Sequence, residues 1–423
     1  MTPDPIDFLY SLERLGMKFG LENIAAMCAE LGHPESTFRS IVIAGTNGKG
    51  SVTVMTETAL RSAGLRTARY TSPHLVRLEE RFVIDGREID TRDLRDSLGS
   101  VQGAVDSLMR RGLLEALPTF FEVATAAAFE LFRRAAIEIA VLEVGLGGRL
   151  DATNVVTPIA TAITSIDFDH QSQLGNTLES IAREKAGIVK PGVALVCGPV
   201  PHAAEQVIRE VCDAQHASLI RTRDVVQITP HSDDEAIDIW TPMRSLDRVT
   251  LALHGKHQRD NAAVAVALLD ELTRQAVAIP DVAVREGLTN AQWPARLERF
   301  VVRGVEVLLD AAHNPAGARA LASHLHEIGW SRITLLFAAM GDKDVAGMLE
   351  ALRPSCETIV CTTAPNPRAL PAAELARLAR TFAPAVEAIA DPAGALECAL
   401  ALGTPVVAAG SIFLIGPLRD ILR

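Results

Sequence analysis

The sequence predicts two successive α/β domains, and three observations carry that prediction. Between residues 41 and 214, short apolar stretches rich in β-branched residues alternate with helical stretches, the pattern of a parallel sheet with helices on both faces. The first apolar stretch breaks into a glycine-rich turn, Ile41-Val-Ile-Ala-Gly-Thr-Asn-Gly-Lys-Gly-Ser51, and continues as a helix. Near Trp293-Pro294 the alternation restarts with a smaller set of strands. The expected division places a larger domain over residues 1–292 and a smaller one over 293–423, which suits a chain too long for one core.

Residues 6–31 predict two short amphipathic helices ahead of the first strand. The helix after the glycine-rich turn covers 52–63 and stops at Gly64. A second strand over 65–71 ends in Ser72-Pro73-His74, where Pro73 enforces a loop. Residues 82–89 carry a central Asp85-Gly86, a hairpin signal. Helices follow over 91–111 and 119–135. The strand over 137–144 is apolar except for Glu138 at its entrance and Glu143 at its far end, just before Gly145-Leu-Gly-Gly148. The strand over 159–166 ends in Asp167-Phe-Asp-His170. Thr177 caps a helix that Gly187 stops; a strand over 193–197 and a helix over 203–214 follow. Residues 218–255 read as a small antiparallel flap, and helices over 261–274 and 283–288 lead to the boundary. In the second domain, strands are expected over 305–310, 333–339, 358–363 and 405–409.

A net charge of −11 argues against electrostatic binding to nucleic acid or to a membrane surface. The six cysteines form no CxxC pair and no Cys/His metal spacing, so they read as buried thiols of a reducing compartment. The acidic N-terminal stretch has no signal-peptide pattern, and the longest apolar tract, 405–418, is cut by Gly410, Ser411, Gly416 and Pro417. A soluble, cytoplasmic protein is expected.

In open parallel sheets, ligands sit at the carboxyl ends of the strands. The unusual residues gather there: Gly45 to Ser51, Ser72, Glu143, the run 167–170 and the run 310–314. A strand, a glycine-rich turn and a helix form a phosphate cradle, because backbone N–H groups converge on the anion and the helix start adds partial positive charge. Lys49 reaches outer phosphates and the Ser51 hydroxyl faces the accompanying metal. The spacing departs from G-x4-G-K-[ST], since Gly50 separates Lys49 from Ser51, and a turn that simply needs three glycines is the bland reading. Glu143 and His170 close successive strands, and an oxygen ligand beside an imidazole suggests a divalent metal next to phosphate. The alternatives are a buried salt bridge for Glu143 and a hydrogen-bonded loop histidine for His170. Taken alone, Lys185 reads as a solvated lysine at a helix end.

The motifs occur in a set order: Gly45 to Ser51, Thr71-Ser-Pro-His-Leu75, Phe121-Glu-Val-Ala-Thr125, Leu142-Glu-Val-Gly-Leu-Gly-Gly-Arg-Leu-Asp-Ala-Thr-Asn154, Asp169-His170, Arg183-Glu-Lys-Ala-Gly187 and Leu309-Asp-Ala-Ala-His-Asn-Pro315. Together they resemble the folylpolyglutamate synthases and their bifunctional forms with dihydrofolate synthase activity, relatives of the Mur ligases. The resemblance runs over nearly the whole chain, and the run 142–154 is its most specific part. It implies a P-loop ATPase domain like the Mur central domain, followed by a Rossmann-like glutamate ligase domain. It implies that Gly48, Lys49, Gly50 and Ser51 hold ATP phosphates, with Asn261, Arg296 and Asp310 as further nucleotide contacts. Ser72, Glu143, His170 and Lys185 resemble the ligands of magnesium, two ions being expected, and Lys185 matches a lysine that such ligases carbamylate. Lys49, His170 and Lys185 are the expected catalytic residues. Thr119, Phe120, Phe121, Glu122, Leu150, Asp151 and Ala152 resemble the pterin side of a folate pocket, although plain core packing also explains the two phenylalanines. His313 and Asn314 are expected near the incoming glutamate or the nucleotide.

The implied reaction is amide formation: ATP converts a carboxylate to an acyl phosphate, which the amine of L-glutamate then captures. The substrates would be a folate or dihydropteroate and L-glutamate, handled by a monomer. Three other readings compete: polyglutamylation alone, a Mur-type peptidoglycan amino-acid ligase, and a nucleotide-binding switch without catalysis. The spacing of Gly48 to Ser51 and the run 143–154 favour the folate branch, and a metal constellation disfavours a mere switch.

Overall fold

The computed structural model describes residues 4–16, 20–231 and 235–423. It divides into two compact units. Unit 1 comprises Met1–Ile166, Leu174–Ala252 and Asp260–Ala291; unit 2 comprises Asp167–Gln173, Leu253–Arg259 and Gln292–Arg423. Two short segments thus leave unit 1 in sequence and pack with unit 2, which alternation along the chain does not foretell.

Unit 1 is built on eight strands: β1 (Arg39–Ala44), β2 (Thr67–Tyr70), β3 (Phe82–Ile84), β4 (Arg87–Glu88), β5 (Ile139–Glu143), β6 (Ala160–Ile163), β7 (Leu195–Cys197) and β8 (Leu219–Arg221). Their order is β4-β3-β2-β5-β1-β6-β7-β8. The run from β2 to β8 is parallel, and the hairpin β3–β4 is added antiparallel to β2. β1 is central and fully covered; Ile41, Val42, Ile43 and Ala44 are buried, as a strand buried on both faces demands. Its register sets Ile43 opposite Glu143 on one side and Ala162 on the other, while Tyr70 lies opposite Leu142. The carboxyl ends of β2, β5, β1 and β6 are therefore consecutive neighbours. The helix Phe120–Arg134 packs beneath them with Val123, Ala124, Ala127 and Phe129 in the main core.

The expected flap over 218–255 is partly corrected. β8 joins the main sheet beside β7, and only β9 (Gln227–Pro230), β10 (Ile237–Trp240) and β11 (Ser245–Val249) form a separate antiparallel sheet. The expected helices over 6–31 are Pro5–Ser11 and Glu22–Glu30. Residues 17–19 and 232–234 of these two expectations, and 1–3 of the acidic N-terminal stretch, lie outside the described residues.

Unit 2 holds β12 (Glu298–Val302), β13 (Val305–Leu309), β14 (Ile333–Phe337), β15 (Cys356–Cys361), β16 (Ala385–Ala388) and β17 (Val406–Ala409), in the order β12-β13-β17-β14-β15-β16. All pairs are parallel except β12–β13. β12 and β16 were not foreseen. Both are edge strands, half-exposed, and β16 is the weakly patterned Ala-Val-Glu-Ala. The helix Pro315–Glu327 starts after β13, capped by the Asn314 side chain, which accepts from Gly317 N–H at 2.8 Å, with Pro315 at its first position. Among the described residues no helix is long and apolar enough to cross a membrane.

Candidate active site

The turn after β1 is held open by its glycines. Gly45 has φ +152° and a Cβ there would lie 1.9 Å from Thr164 Oγ1; Gly48 has φ +86° and a Cβ there would meet Asn261 Oδ1 at 2.2 Å. Gly48 is the N-cap of the helix Lys49–Ser62 and, as a glycine, brings no capping side chain of its own. The first N–H groups of a long helix thus point out of the turn, which is what an anionic ligand requires. The loop is pinned from β6: Thr46 N–H donates to Ser165 O at 2.8 Å, and the Thr164 and Ser165 hydroxyls donate to Asn47 O at 2.6 and 3.0 Å. Lys49 Nζ folds back onto Gly45 O (3.1 Å) and Thr46 O (3.3 Å), and Ser51 is buried at the helix start. Of the expected nucleotide contacts, Asn261 lies against this loop.

Glu143, at the end of β5, is buried and accepts Ser72 N–H at 3.2 Å. That pairing follows from the register, because β2 and β5 are neighbours and Ser72 follows β2. Lys185 contradicts the reading of a solvated helix-end lysine. It is only 5% exposed, and its Nζ donates to Gly45 O at 2.9 Å. The run after β5 explains the placement. Asn154 Nδ2 donates to Arg149 O and to Gly187 O, both at 3.0 Å, and Arg149 N–H donates to Glu184 O at 2.8 Å. A Cβ on Gly148 would lie 2.8 Å from Lys185 O, and one on Gly187 would lie 2.2 Å from Arg149 Cβ. The glycines of this run therefore let two backbones touch, and that contact fixes the turn of helix that carries Lys185.

His170 belongs to the segment Asp167–Gln173, which packs with unit 2, whereas Ser72, Glu143 and Lys185 belong to unit 1. Its backbone is left-handed at φ +50°, and its N–H donates to Asp169 Oδ1 at 2.8 Å. Among the described residues no three His, Cys, Asp or Glu side chains converge as a metal cage. The expected set contains only two such residues, which suits an ion that keeps waters and phosphate oxygens as ligands.

The expected pterin residues divide by role. Thr119 and Glu122 form a capping box: Glu122 Oε2 accepts Thr119 N–H at 2.7 Å and its hydroxyl at 2.8 Å. Asp151 is buried; Oδ1 accepts Thr153 N–H and hydroxyl at 3.0 and 2.6 Å, and Oδ2 accepts Leu146 N–H at 2.9 Å. Burial nonetheless pushes its pKa above the usual carboxylate value, against those hydrogen bonds. Ala152 begins the short turn that Asp151 caps, and Leu150 is half-buried beside it. Phe121 packs on Tyr70 (ring centroids 5.9 Å apart) and fills the space over Gly145, where a Cβ would meet its ring at 2.6 Å. Phe120 lies 6.0 Å from Tyr10 and carries the Arg81 guanidinium over its ring at 5.2 Å. Core packing thus accounts for Phe121, and Phe120 has a polar neighbour.

In unit 2, both oxygens of Asp310 accept backbone N–H groups. The carboxylate accepts Leu297 N–H at 3.0 Å and Ala312 N–H at 2.9 Å, bracing the loop after β13. Arg296 is half-buried and donates to Ala295 O at 3.2 Å. His313 and Asn314 both meet Asp169. Asn314 Nδ2 donates to Asp169 Oδ2 at 3.0 Å, His313 Nε2 lies 3.5 Å from it, and Lys343 Nζ donates to Oδ1 at 2.6 Å. Burial alone would raise the Asp169 pKa, but the hydrogen bond and charge of His313, with the charges of Lys343 and His170, hold it far below the carboxylate range.

Sequence reasoning named Asp169 only inside a motif and missed Lys343, Thr164, Ser165 and Arg81. Lys343 had a signal, since Gly341-Asp-Lys343 follows the carboxyl end of β14 where a core strand turns abruptly polar. The Thr164-Ser165 pair had none, because two hydroxyls after a strand look like any loop.

Comparison with known proteins gives a consistent answer. Residues 112–269 match the Mur ligase middle domain, and residues 295–412 match the Mur ligase glutamate ligase domain. The dihydrofolate synthase/folylpolyglutamate synthase of Bacillus subtilis is 35% identical over 88% of this chain and 87% of its own. The Mycobacterium tuberculosis folylpolyglutamate synthase complexed with ADP and AMPPCP superposes with a TM-score of 0.91 at 33% identity, over 99% of each chain. A bifunctional folylpolyglutamate synthase/dihydrofolate synthase with Mn, AMPPNP and L-glutamate bound superposes with a TM-score of 0.86 at 31% identity, over 100% of this chain and 98% of the other.

Proposed function

We propose, from the premise that the chain belongs to the folylpolyglutamate synthase/dihydrofolate synthase family of Mur-type ligases, that it joins L-glutamate to folates through an acyl phosphate and also converts dihydropteroate to dihydrofolate. The supporting observation is the strand order: β2, β5 and β1 are parallel neighbours, so the Ser72 loop, Glu143 and the glycine cradle lie together at the carboxyl ends of one sheet's strands. Domain 1–292 would bind ATP, and domain 293–423 would serve the amino acid.

The residues fit the chemistry. The glycine-led helix start at Gly48, with Lys49, Gly50 and Ser51, would receive the phosphates of ATP, with Asn261 alongside. Lys49 Nζ, which rests on two loop carbonyls, is long enough to swing to an outer phosphate and neutralise charge during transfer. Ser72, Glu143 and His170 would hold magnesium, which supplies positive charge to the transferring group. Lys185 would join them as a carbamate: its neutral amine adds to CO₂, a proton leaves, and a cation becomes a carboxylate. Thr119 to Glu122 and Leu150 to Ala152 would line the pterin, with the Phe120 ring as a stacking platform. Arg296, Asp310 and His313 would act from the second domain, His313 near the incoming amine. Exclusion of water protects the acyl phosphate from hydrolysis.

The test is ATP consumption by the purified protein with L-glutamate and either dihydropteroate or tetrahydrofolate. ADP release that requires both partners, with a glutamylated product, is expected for each acid. Turnover with tetrahydrofolate alone would restrict the activity to polyglutamylation. Turnover only with a muramoyl-peptide acceptor would move the protein to the peptidoglycan branch.

A further inference from the structure

Unit 1 contains a buried cation for which neither the fold nor the phosphate site gives a use. Arg81 is 8% exposed, at the end of a short helical turn ahead of β3. Buried arginines are almost always paired with a carboxylate. Among the described residues none pairs with this one. Its acidic neighbours in sequence are engaged elsewhere: Glu80 accepts the N–H groups of Leu75, Val76 and Arg77 at 2.7, 3.1 and 2.8 Å, and Glu79 accepts the Thr91 hydroxyl at 2.6 Å. Instead Arg81 Nε donates to His74 Nδ1 at 2.9 Å, and its guanidinium lies over the Phe120 ring at 5.2 Å.

Each of these partners is neutral. An Nε–H can only donate, so His74 Nδ1 is the bare nitrogen and the ring proton sits on Nε2. One edge of the guanidinium is thereby fixed by His74 and one face by Phe120. A planar fork fixed in this way presents its remaining N–H groups in the geometry that a carboxylate accepts.

The position matters as much as the charge. Arg81 O accepts Thr71 N–H at 3.0 Å, one residue before Ser72, and His74 follows Ser72 by two. Phe120 opens the helix that carries the expected pterin contacts. Arg81 therefore stands between the Ser72 loop and the Phe120 ring.

We propose that Arg81 binds a carboxylate of the acid substrate, with His74 as the positioning residue that holds its guanidinium edge-on. The assignment rests on the ligase reading above and adds to it a specificity residue for anionic acceptors. Arg81 gives the carboxylate charge-assisted hydrogen bonds, and Phe120 keeps it beside the ring of the same ligand.

The test is binding and turnover of Arg81→Met and Arg81→Lys. Wild-type protein should bind dihydropteroate about 10- to 100-fold tighter than its neutral carboxamide. In Arg81→Met that preference should vanish, with KM for the acid raised by a similar factor and KM for ATP and L-glutamate unchanged. Arg81→Lys, which keeps the charge without the fork, should fall between. Loss with both dihydropteroate and tetrahydrofolate identifies the reacting carboxylate; loss with tetrahydrofolate alone identifies its second, non-reacting one. A His74→Phe variant should show a smaller loss in the same direction. An Arg81→Met protein that melts like wild type and still prefers the acid to the amide overturns the proposal, as does an equal rise in all three KM values. If Arg81→Met does not fold, an unchanged preference in Arg81→Lys and His74→Phe has the same force. Wild-type turnover measured alongside separates this outcome from a failure of the ligase reading, which would leave no activity in any form.

Discussion

The glycine-turn region of unit 1 and the loop cluster of unit 2 hold their charges in opposite ways. In unit 1, Lys49 and Lys185 both donate to the single carbonyl of Gly45, and Arg81 leans on a neutral imidazole and a ring. In unit 2, Asp169 is met by Asn314, His313 and Lys343, and both oxygens of Asp310 receive backbone N–H groups. Carbonyls and rings are weak partners for full charges, whereas charge-assisted bonds to a carboxylate are strong. The first arrangement leaves Lys49 and Arg81 able to transfer their bonds to an anionic ligand. The second has committed its charges to holding loops in place. Substitutions at these cations of unit 1 should therefore cost activity more than stability, and those in the Asp169 and Asp310 clusters of unit 2 stability at least as much as activity.

The largest effect is expected at Lys49. Lys49→Met removes a flexible cation whose present bonds are to two loop carbonyls, so the fold should survive with a melting temperature near wild type. ATP-dependent ligation should drop by about 10³-fold, as when a group that stabilises transition-state charge is lost. A wild-type kcat in this variant would place phosphoryl transfer elsewhere. Glu143→Gln should behave similarly, because Gln keeps an acceptor for Ser72 N–H but removes the negative charge.

Asp169→Ala is the opposite case. It strands Lys343, whose side chain is only 10% exposed, beside His313. Leaving a buried charge uncompensated costs about 3–5 kcal/mol, so chemical denaturation should show a midpoint far below that of Lys49→Met. The double variant Asp169→Ala/Lys343→Met should recover part of the loss, since it removes both charges. If the single and double variants unfold at the same denaturant concentration, the pairing contributes nothing.

This contrast shows how much the sequence could disclose. The strands of unit 1 and their ends were readable because β-branched runs flanked by glycine have few alternatives, and Glu143 stood out as a carboxylate in an apolar strand. The neighbourhood of Lys185 was not readable locally. A lysine near a helix end is ordinarily solvated, and only the backbone contact of Gly148 with the Lys185 turn buries it. Asp310 illustrates the reverse difficulty. Its motif marks it as a site residue, yet its oxygens are occupied by Leu297 and Ala312 N–H groups. Asp310→Ala should lower stability by about 1–3 kcal/mol, because two buried donors lose their acceptor. A variant with wild-type unfolding and a raised KM for ATP would instead support direct nucleotide contact.

The smallest effect is expected at His324, which tests whether every buried charge-capable group of unit 2 is committed. This histidine is 6% exposed on the helix Pro315–Glu327, and neither ring nitrogen has a hydrogen-bond partner among the described residues. Burial lowers its pKa below 6.5; Arg299, His254 and His257 act in the same direction, and Glu327 acts against them while pairing with Lys256 at 3.1 Å. With the folded-state pKa depressed, the neutral ring is favoured in the native state. The contribution to stability is present above pH 6.5 and is lost as the pH falls toward the folded pKa, because the unfolded chain takes up the proton first. His324→Leu removes that liability and two unsatisfied polar atoms at similar volume. At pH 7.5 the variant should unfold within about 1 kcal/mol of wild type or be slightly more stable. At pH 5.5 its advantage should be larger. Urea midpoints at the two pH values decide the matter: an advantage of the same size at both means that the wild-type ring finds a partner on protonation, and unit 2 is then as fully charge-paired around His324 as it is around Asp169.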